Sequence, residues 1–363
     1  MKSNITILGG GLSGRLTALM LARQGFSVSL HDKATRAGEE SAAFVAAAML
    51  APMAEAVDAT PQVLSLGYQS IDIWKNIIPT LPEKVMMQFS GSLIVWHPQD
   101  KDLSTRFAQY LRHGHQGKET WINWNQDDIN QNEPQLTNRF AHGFYLPTEG
   151  QLDNRQTLNA LASGLEAAGV DCHWQSSPNL ESLIGKDAWV IDCRGFGAKQ
   201  DWNQTQKSQL RGIRGEVARV FAPEITLNRP VRLLHPRYPL YIAPKENHIF
   251  VIGATQIESE DNSEVSVRSS LELMSSLYAL HPAFGEARIL EFLTQLRPTL
   301  NHHDPEIRLH RQKKVMSING LFRHGFMIAP AVCEAAVRML NQEINGENPQ
   351  KDSITGLPLN IVE

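Results

Sequence analysis

The stretch from Ile5 to Asp32 constrains this chain more than any other. Ile5-Thr6-Ile7-Leu8 is a short β-branched, apolar run, the composition of a buried parallel strand. It leads directly into Gly9-Gly10-Gly11-Leu12-Ser13-Gly14, which reads G-x-G-x-x-G. A helical pattern follows, with Leu12, Leu16, Leu19, Met20 and Arg23 at spacings of three and four, and Gly25 stands where a helix ends. Residues 26–30 alternate as a second strand, and Asp32 closes it, 18 residues beyond Gly14.

Each part has a chemical reason. Gly9 permits a tight turn, Gly11 lets the backbone approach a pyrophosphate, and Gly14 lets the helix pack closely on the strand. The free N–H groups and positive end of the helix attract an anionic diphosphate. An acid at the position of Asp32 accepts hydrogen bonds from ribose hydroxyls. A lone glycine triplet would indicate no more than a turn. Strand, glycines, helix, strand and acid in this order predict a dinucleotide site.

At 363 residues the chain is long for one core, so two domains or one elaborated domain is expected. The net charge of −4 argues against nucleic acid or an anionic membrane as partner. Cys172, Cys193 and Cys333 are scattered, with no zinc spacing, which suits reduced thiols in a cytoplasmic protein. The longest apolar run, residues 42–51, is too short to span a bilayer, and the glycine fingerprint explains residues 1–20 better than a signal peptide does. His113 and His115 lack acidic partners at ligand spacing, so no metal site is expected.

Further along, residues 40–52 are dense in small side chains, which suits either a tightly packed buried segment or a wall against a flat ligand. Residues 62–78 have the period of an amphipathic helix, and 85–96 read as strand, turn and strand. The polar stretch 98–138 is a candidate insertion. A helix capped near Asp153 runs to Gly169, followed by strands at 170–174 and 187–192, the second breaking into Cys193-Arg194-Gly195-Phe196-Gly197. Residues 215–221, 238–244 and 248–255 look antiparallel, 258–264 is an acidic, solvated turn, and 269–280 is a helix. A strand at 315–318 opens into a helix with Pro330 in its first turn, and the tail from Asn341 is expected to be loosely held.

Taken together, the fingerprint, Ala46-Ala47-Ala48-Met49-Leu50 with Glu55, Glu149-Gly150-Gln151-Leu152-Asp153, Arg214-Gly215-Glu216, Tyr241-Ile242-Ala243-Pro244, Ile252-Gly253-Ala254-Thr255, Leu296-Arg297-Pro298 and Phe322-Arg323-His324-Gly325 resemble the FAD-dependent amine and D-amino acid oxidase family, and within it the glycine oxidases of thiamin biosynthesis. The resemblance covers nearly the whole chain. It implies an α/β fold: a three-layer, Rossmann-like FAD-binding domain (1–84, 145–213 and 297–345), an inserted, mainly antiparallel α+β substrate domain (85–144 and 214–296), and a tail at 346–363. It further implies that Gly9, Gly11, Leu12, Ser13, Gly14, Asp32 and Lys33 hold the ADP half of FAD, with Ser41 and Gly195 also on the cofactor. Ala47, Ala48 and Met49 would line the flavin ring. Arg323, His324, Gly325, Phe326 and Met327, with Phe322, would wrap its pyrimidine side and ribityl chain, and the helix near Pro330 would aim its positive end at the ring's N1–C2=O edge. Arg297 would pair with a substrate carboxylate and Tyr241 would add a hydroxyl donor. From the residues alone, Arg297 reads first as a surface or ion-paired arginine and Tyr241 as a core residue of a strand.

The sequence departs from the family pattern in places. Ala48 stands where glycine oxidases often have glycine, and residues 301–308 lack the usual glycine after Ile307. Relatives that attach FAD covalently use a cysteine before the last strand; none is present there, so FAD is expected to be non-covalent. The implied reaction is oxidation of a small amino acid, glycine first, with molecular oxygen as co-substrate and hydrogen peroxide as product. Sarcosine, a D-amino acid or another secondary amine is the rival substrate, and a non-catalytic flavin-binding or electron-transfer subunit the rival class. A nicotinamide dehydrogenase would need a second fingerprint, and a flavin hydroxylase a late Gly-Asp run. Whether the chain forms a homo-oligomer is left open.

Overall fold

A computed structural model describes residues 4–362 other than 115–116, 118–120, 186–187, 205–207 and 236–239. Its first sheet comprises β1 (Asn4–Leu8), β2 (Ser27–Asp32), β3 (Asp171–Trp174), β4 (Ala188–Asp192), β5 (Glu306–His310), β6 (Val315–Asn319) and β7 (Leu359–Ile361). Their order is β7-β5-β6-β4-β1-β2-β3. Every neighbouring pair is parallel except β5 with β6. The strands read from the N-terminus, near 190 and near 318 therefore lie side by side, as expected. Ile5, Ile7 and Leu8 are buried because helices cover the sheet, which explains an apolar run rather than a clean alternation.

Among those helices, α1 (Leu12–Arg23) leaves the β1 turn, and Gly25 at φ 83° returns the chain to β2. Next come α2 (Pro61–Ile77) and α3 (Asn154–Ala167). The Asp153 carboxylate caps α3 by accepting from the backbone N–H of Arg155 and of Gln156, at 3.0 and 2.9 Å.

A second sheet has eight strands in the order Arg288–Leu300, Leu210–Phe221, Ile249–Gly253, Leu240–Pro244, Val231–Leu233, Ser92–Val95, His142–Leu146 and Ile122–Asn125. It is antiparallel throughout, apart from the parallel pair formed by Val231–Leu233 and Ser92–Val95. Leu273, Leu277 and Leu280 of α4 (Val267–Leu280) pack on Ala218, Val220, Phe250 and Ile252 of this sheet. The three antiparallel strands expected here are present, although residues 238–239 lie outside the described chain. One pairing differs from expectation. The strands read at 85–96 form as Met87–Gln88 and Ser92–Val95 but join different sheets, because the first pairs with Gly150–Leu152 and the second with His142–Leu146. Residues 294–299 belong to a 13-residue edge strand, Arg288–Leu300, exposed at its first three residues.

The last helix, α5 (Gly325–Ile344), begins five residues earlier than expected and carries Pro330 inside it. Proline has no N–H for the Phe326 carbonyl four residues back. The Trp74 indole of α2 donates to that carbonyl at 2.8 Å, and the Ala331 N–H donates to Ser70 Oγ at 3.1 Å. Partners on α2 thus carry the helix across its proline. The tail is also held, contrary to expectation. Arg338 grips the buried Asp352 carboxylate at 2.8 and 2.9 Å, Leu357 and Leu359 are buried, and β7 pairs with β5. Its polar composition conceals one buried ion pair and two anchoring leucines.

No helix among the described residues is long and apolar enough to cross a membrane. Replacing Trp74 by Phe keeps most of the packed volume and removes the donor. An unpaired buried carbonyl costs roughly 1–3 kcal/mol. Urea unfolding of the FAD-free protein should show a loss of that size; an unchanged midpoint would mean that Pro330 needs no substitute donor.

Candidate active site

A cavity of about 1330 Å³ runs from the β1–α1 turn to the inner face of the antiparallel sheet. It is lined by Gly9, Gly11, Leu12, Ser13, Asp32, Lys33, Ser41, Ala47, Ala48, Met49, Gly195, Tyr241, Arg297, Phe322, Arg323, His324, Gly325, Phe326 and Met327. Gly14 is the one residue singled out from the sequence that does not line it. A Cβ on Gly14 would lie 1.8 Å from the Gly9 carbonyl oxygen, so its role is to let α1 sit against the turn.

Gly9 has φ 94°, and a Cβ there would meet the Cys193 carbonyl oxygen at 2.6 Å. Conformation and space both demand glycine. Gly11 caps α1 without a side-chain bond, and the first turn carries no acid, so its N–H groups face the cavity ready for an anion. The Asp32 carboxylate accepts from the backbone N–H of Gly10 and, at 2.7 Å, from that of Ala34. Each oxygen retains a lone pair for a hydroxyl donor. Lys33 lies on the exposed rim and pairs with Glu40 at 2.5 Å.

Arg15 was not legible as a site-building residue; an arginine on an amphipathic helix reads as surface. It is fully buried and donates to the carbonyls of Gly10 (2.6 Å), Leu158 (2.5 Å) and Arg36 (2.8 Å). Burial pulls its pKa down to about 10, against an opposing pull from Asp32. It ties the glycine turn to α3 and to the loop beyond β2.

The small-residue stretch forms a short helix, Ala42–Val45, and then a wall of the cavity. Ser41 caps that helix, and the Asn154 amide donates to the Ala43 and Phe44 carbonyls at 3.1 and 2.6 Å. Ala48, at φ 52°, adopts a conformation that favours glycine.

At the far end, Arg297 on the edge strand lies across Gly215, where a Cβ would be 2.4 Å from its Cζ. Its one described hydrogen bond is Nη1–H to the Thr255 carbonyl at 3.0 Å, and no described carboxylate pairs with it. Tyr241 stands nearby, its hydroxyl 2.7 Å from where a Cβ on Gly253 would be. Burial raises the Tyr241 pKa despite the pull of Arg297, so the phenol keeps its proton. Burial also lowers that of Arg297, from a value high enough to leave it charged.

Beside these two residues lies a network the sequence did not announce. Glu55, at the end of the short helix Pro52–Glu55, bridges Arg232 at 2.9 Å and Arg323 at 2.5 and 2.9 Å, with His324 Nδ1 at 3.5 Å. Arg323 also reaches Asp58 at 3.1 Å. Burial alone would raise the Glu55 pKa; Arg323 and Arg232 outweigh it and hold the carboxyl well below its usual range. Burial brings His324 down to about 4, leaving it neutral. Resemblance drew attention to Glu55 without giving it a partner, and nothing in the sequence brings Arg232 to it. The guanidinium of Arg323, expected around the flavin, is committed to these two acids. The acidic loop near 260 is not merely solvated: Lys199 pairs with Glu260 at 2.5 Å, and Arg214 donates to the Asp261 and Glu264 carbonyls. Among the described residues no group of three or more His, Cys, Asp or Glu is placed to hold a metal ion.

A dinucleotide-binding α/β sheet, joined to an antiparallel sheet that borders the same cavity, defines a flavin-dependent oxidoreductase. The family described as DAO, FAD dependent oxidoreductase, matches residues 4–339, and the chain belongs to it; FAD is its cofactor. The chain is 36% identical over 342 residues to the putative thiamine biosynthesis oxidoreductase ThiO of Rhizobium etli, covering 93% of this chain and 97% of that one. It is 23% identical to the glycine oxidase of Geobacillus kaustophilus over 91% of this chain and 90% of the other. The crystal structure of glycine oxidase from Bacillus cereus shares the fold with a TM-score of 0.82, at 20% identity over 99% of this chain and 98% of the other.

Glu149 supports the Glu55 network from behind. Fully buried, it accepts from the Ala54 N–H at 2.6 Å and from the Ser92 hydroxyl. Burial pushes its pKa up to about 7, from a usual value of 4.5. Between those values the native protein binds the extra proton, so this group's contribution to stability is full below pH 4.5 and declines as pH rises through 7. The whole shift corresponds to roughly 3 kcal/mol. Glu149→Gln should flatten that part of the stability profile between pH 5 and 8, as read by urea unfolding. A variant with the wild-type slope would assign the pH dependence elsewhere.

Proposed function

We propose that this chain is an FAD-dependent oxidase of small amino acids with glycine as its favoured substrate, and that its imine product serves thiamin biosynthesis. The observation that carries the reading is Arg297, a guanidinium with no carboxylate partner among the described residues, beside the protonated Tyr241 in the cavity. The relatives named as glycine oxidase and thiamine biosynthesis oxidoreductase support the choice of substrate and pathway.

In this reading Gly9, Gly11, Leu12, Ser13 and the start of α1 hold the diphosphate of FAD, and Asp32 the adenosine ribose. Ala47, Ala48 and Met49 face the flavin ring. The positive end of α5 begins at Gly325, not at Pro330, and a Cβ on Gly325 would meet nothing within 4 Å, so the cavity comes right up to the helix start. When bound, FAD supplies the two-electron acceptor that converts the amine to an imine and passes the electrons to oxygen as hydrogen peroxide. Cys193 and Cys333 are buried, which drives the first thiol well above its usual pKa and the second up to about 12; both stay protonated, and FAD is held non-covalently. The cofactor side corresponds to 1–84, 145–213 and 297–345 and the substrate side to 85–144 and 214–296, with Leu210–Phe221 and Arg288–Leu300 crossing from one to the other.

The chain's own residues act by position. Arg297 takes the substrate carboxylate with two parallel N–H donors, Tyr241 adds an O–H donor, and together they fix the α-carbon. At this end of the cavity Arg232 and Arg323 are paired with Glu55 and Asp58, which leaves the Arg297 guanidinium for one carboxylate. Glu55 is locked between arginines and is no free partner for an ammonium, so the amine enters neutral. The rate at low substrate therefore rises with pH toward the pKa of the substrate's own amine.

Anaerobic addition of glycine, sarcosine and a panel of D-amino acids to the purified protein tests this directly. Glycine should bleach the flavin band fastest; a faster N-methylated or bulkier amine would change the substrate, and no bleaching by any of them would sink the oxidase reading. Arg297→Ala should lower kcat/KM by roughly a hundredfold or more, the effect of removing one partner of a buried charge pair. Unchanged apparent affinity and turnover would remove Arg297 from the site.

A further inference from the structure

We infer that Lys245 is a positioning residue that clamps the Ala47–Ala48 backbone in its left-handed turn at the cavity wall; the inference rests on assigning Ala47, Ala48 and Met49 to the flavin ring. Lys245 follows the Leu240–Pro244 strand and is buried. Its ammonium has three N–H donors, and they go to the Ala47 carbonyl (2.9 Å), the Gln151 side-chain oxygen (2.9 Å) and the Leu152 carbonyl (2.7 Å). All three acceptors are neutral, and no described carboxylate pairs with it. The nearest influences are the charge of Asp153, which favours the ammonium, and that of Arg219, which opposes it.

A buried ammonium without an ion pair is costly, and burial draws this one down to about pH 7. A neutral amine has only two hydrogens to donate, so the observed triple contact needs the charged form. Its place shows what the contact holds. Met49–Leu50 pairs with Gly150–Leu152, and the Leu152 N–H donates to the Ala48 carbonyl at 3.0 Å. Lys245 bonds both of these segments where the first turns left-handed at Ala48, φ 52°. Alanine resists that conformation because its Cβ crowds the following carbonyl. Ala47, Ala48 and Met49 all line the cavity. Released from Lys245, the peptide between Ala47 and Ala48 would relax toward an ordinary extended conformation and shift the wall on which the ring rests. A glycine at position 48 adopts the turn freely and makes the clamp dispensable.

The test is a cycle of Lys245→Met, Ala48→Gly and the double variant. FAD is titrated into each apoprotein by fluorescence quenching, and the band shape of the bound flavin is recorded. Lys245→Met should keep its far-UV circular dichroism and bind FAD about tenfold more weakly. The double variant should return to within about threefold of Ala48→Gly alone. Affinity within twofold of wild type for Lys245→Met, or an equal loss in the double variant, overturns the clamp. Should Lys245→Met fail to fold, Lys245→Gln and its Ala48→Gly partner, which retain two donors, run the same cycle under the same criteria. Ala48→Val checks the underlying assignment: wild-type FAD affinity there would mean that the segment does not face the flavin, and the inference falls with it. A failed cycle beside a weakened Ala48→Val removes only the role of Lys245.

Discussion

The structure depends first on how closely α1 approaches the turn that precedes it. Gly14 lies so near the Gly9 carbonyl that no side chain could stand between them, and Gly9 must take a positive φ against the backbone of Cys193. These two contacts bring the first turn of α1 to the mouth of the cavity, uncapped and without acids. Arg15 then fixes what the glycines allow. Its three bonds to carbonyls from residues 10, 36 and 158 join the turn, the loop after β2 and α3. A buried arginine is expensive unless its donors find acceptors, and here each of its three nitrogens meets a carbonyl, a structural use.

The same economy of partners runs through the second half of the cavity. Pro330 removes a donor from α5, and α2 returns one through Trp74. Glu149 brings the backbone of Ala54 into place, and the helix turn that contains Ala54 ends on Glu55. Glu55 in turn gathers Arg232 from the antiparallel sheet and Arg323 from the segment before α5. A buried ion-pair network thus ties the antiparallel sheet to the segment before α5. Such a network fixes relative position well, because removing one partner leaves an uncompensated charge.

This distribution of partners explains what could be read in the sequence. Local signals were legible: the glycine turn, the Asp153 cap, the period of α2, and the apolar runs of β1, β4 and β6. They depend on neighbours within a few residues. The start of α5 was not legible, because proline normally marks a helix start and the group that tolerates it here is 256 residues away in Trp74. The tail looked loose because Asp352, a polar residue in a polar stretch, is held by Arg338. Arg15, Arg232 and Lys245 read as surface charges, and only the distant groups they meet make them part of the interior. Resemblance supplied Arg297 and Tyr241, whose roles no spacing could have given.

Of the five arginines that line the cavity, Arg232, Arg297 and Arg323 stand together at one end, and their pairing separates them. Arg323 is held by Glu55 and Asp58, and Arg232 by Glu55. A carboxylate arriving at either would have to displace an existing ion pair, so little Coulomb energy would be gained. Arg297 has one carbonyl contact and donors to spare, in a setting where burial strengthens any charge it meets. Tyr241, its proton retained, adds a donor without adding charge. With Glu55 held by Arg232 and Arg323, no described carboxylate pairs with the Arg297 guanidinium. In the proposed function, the acids that leave Arg297 alone define the substrate anchor as much as Arg297 itself does.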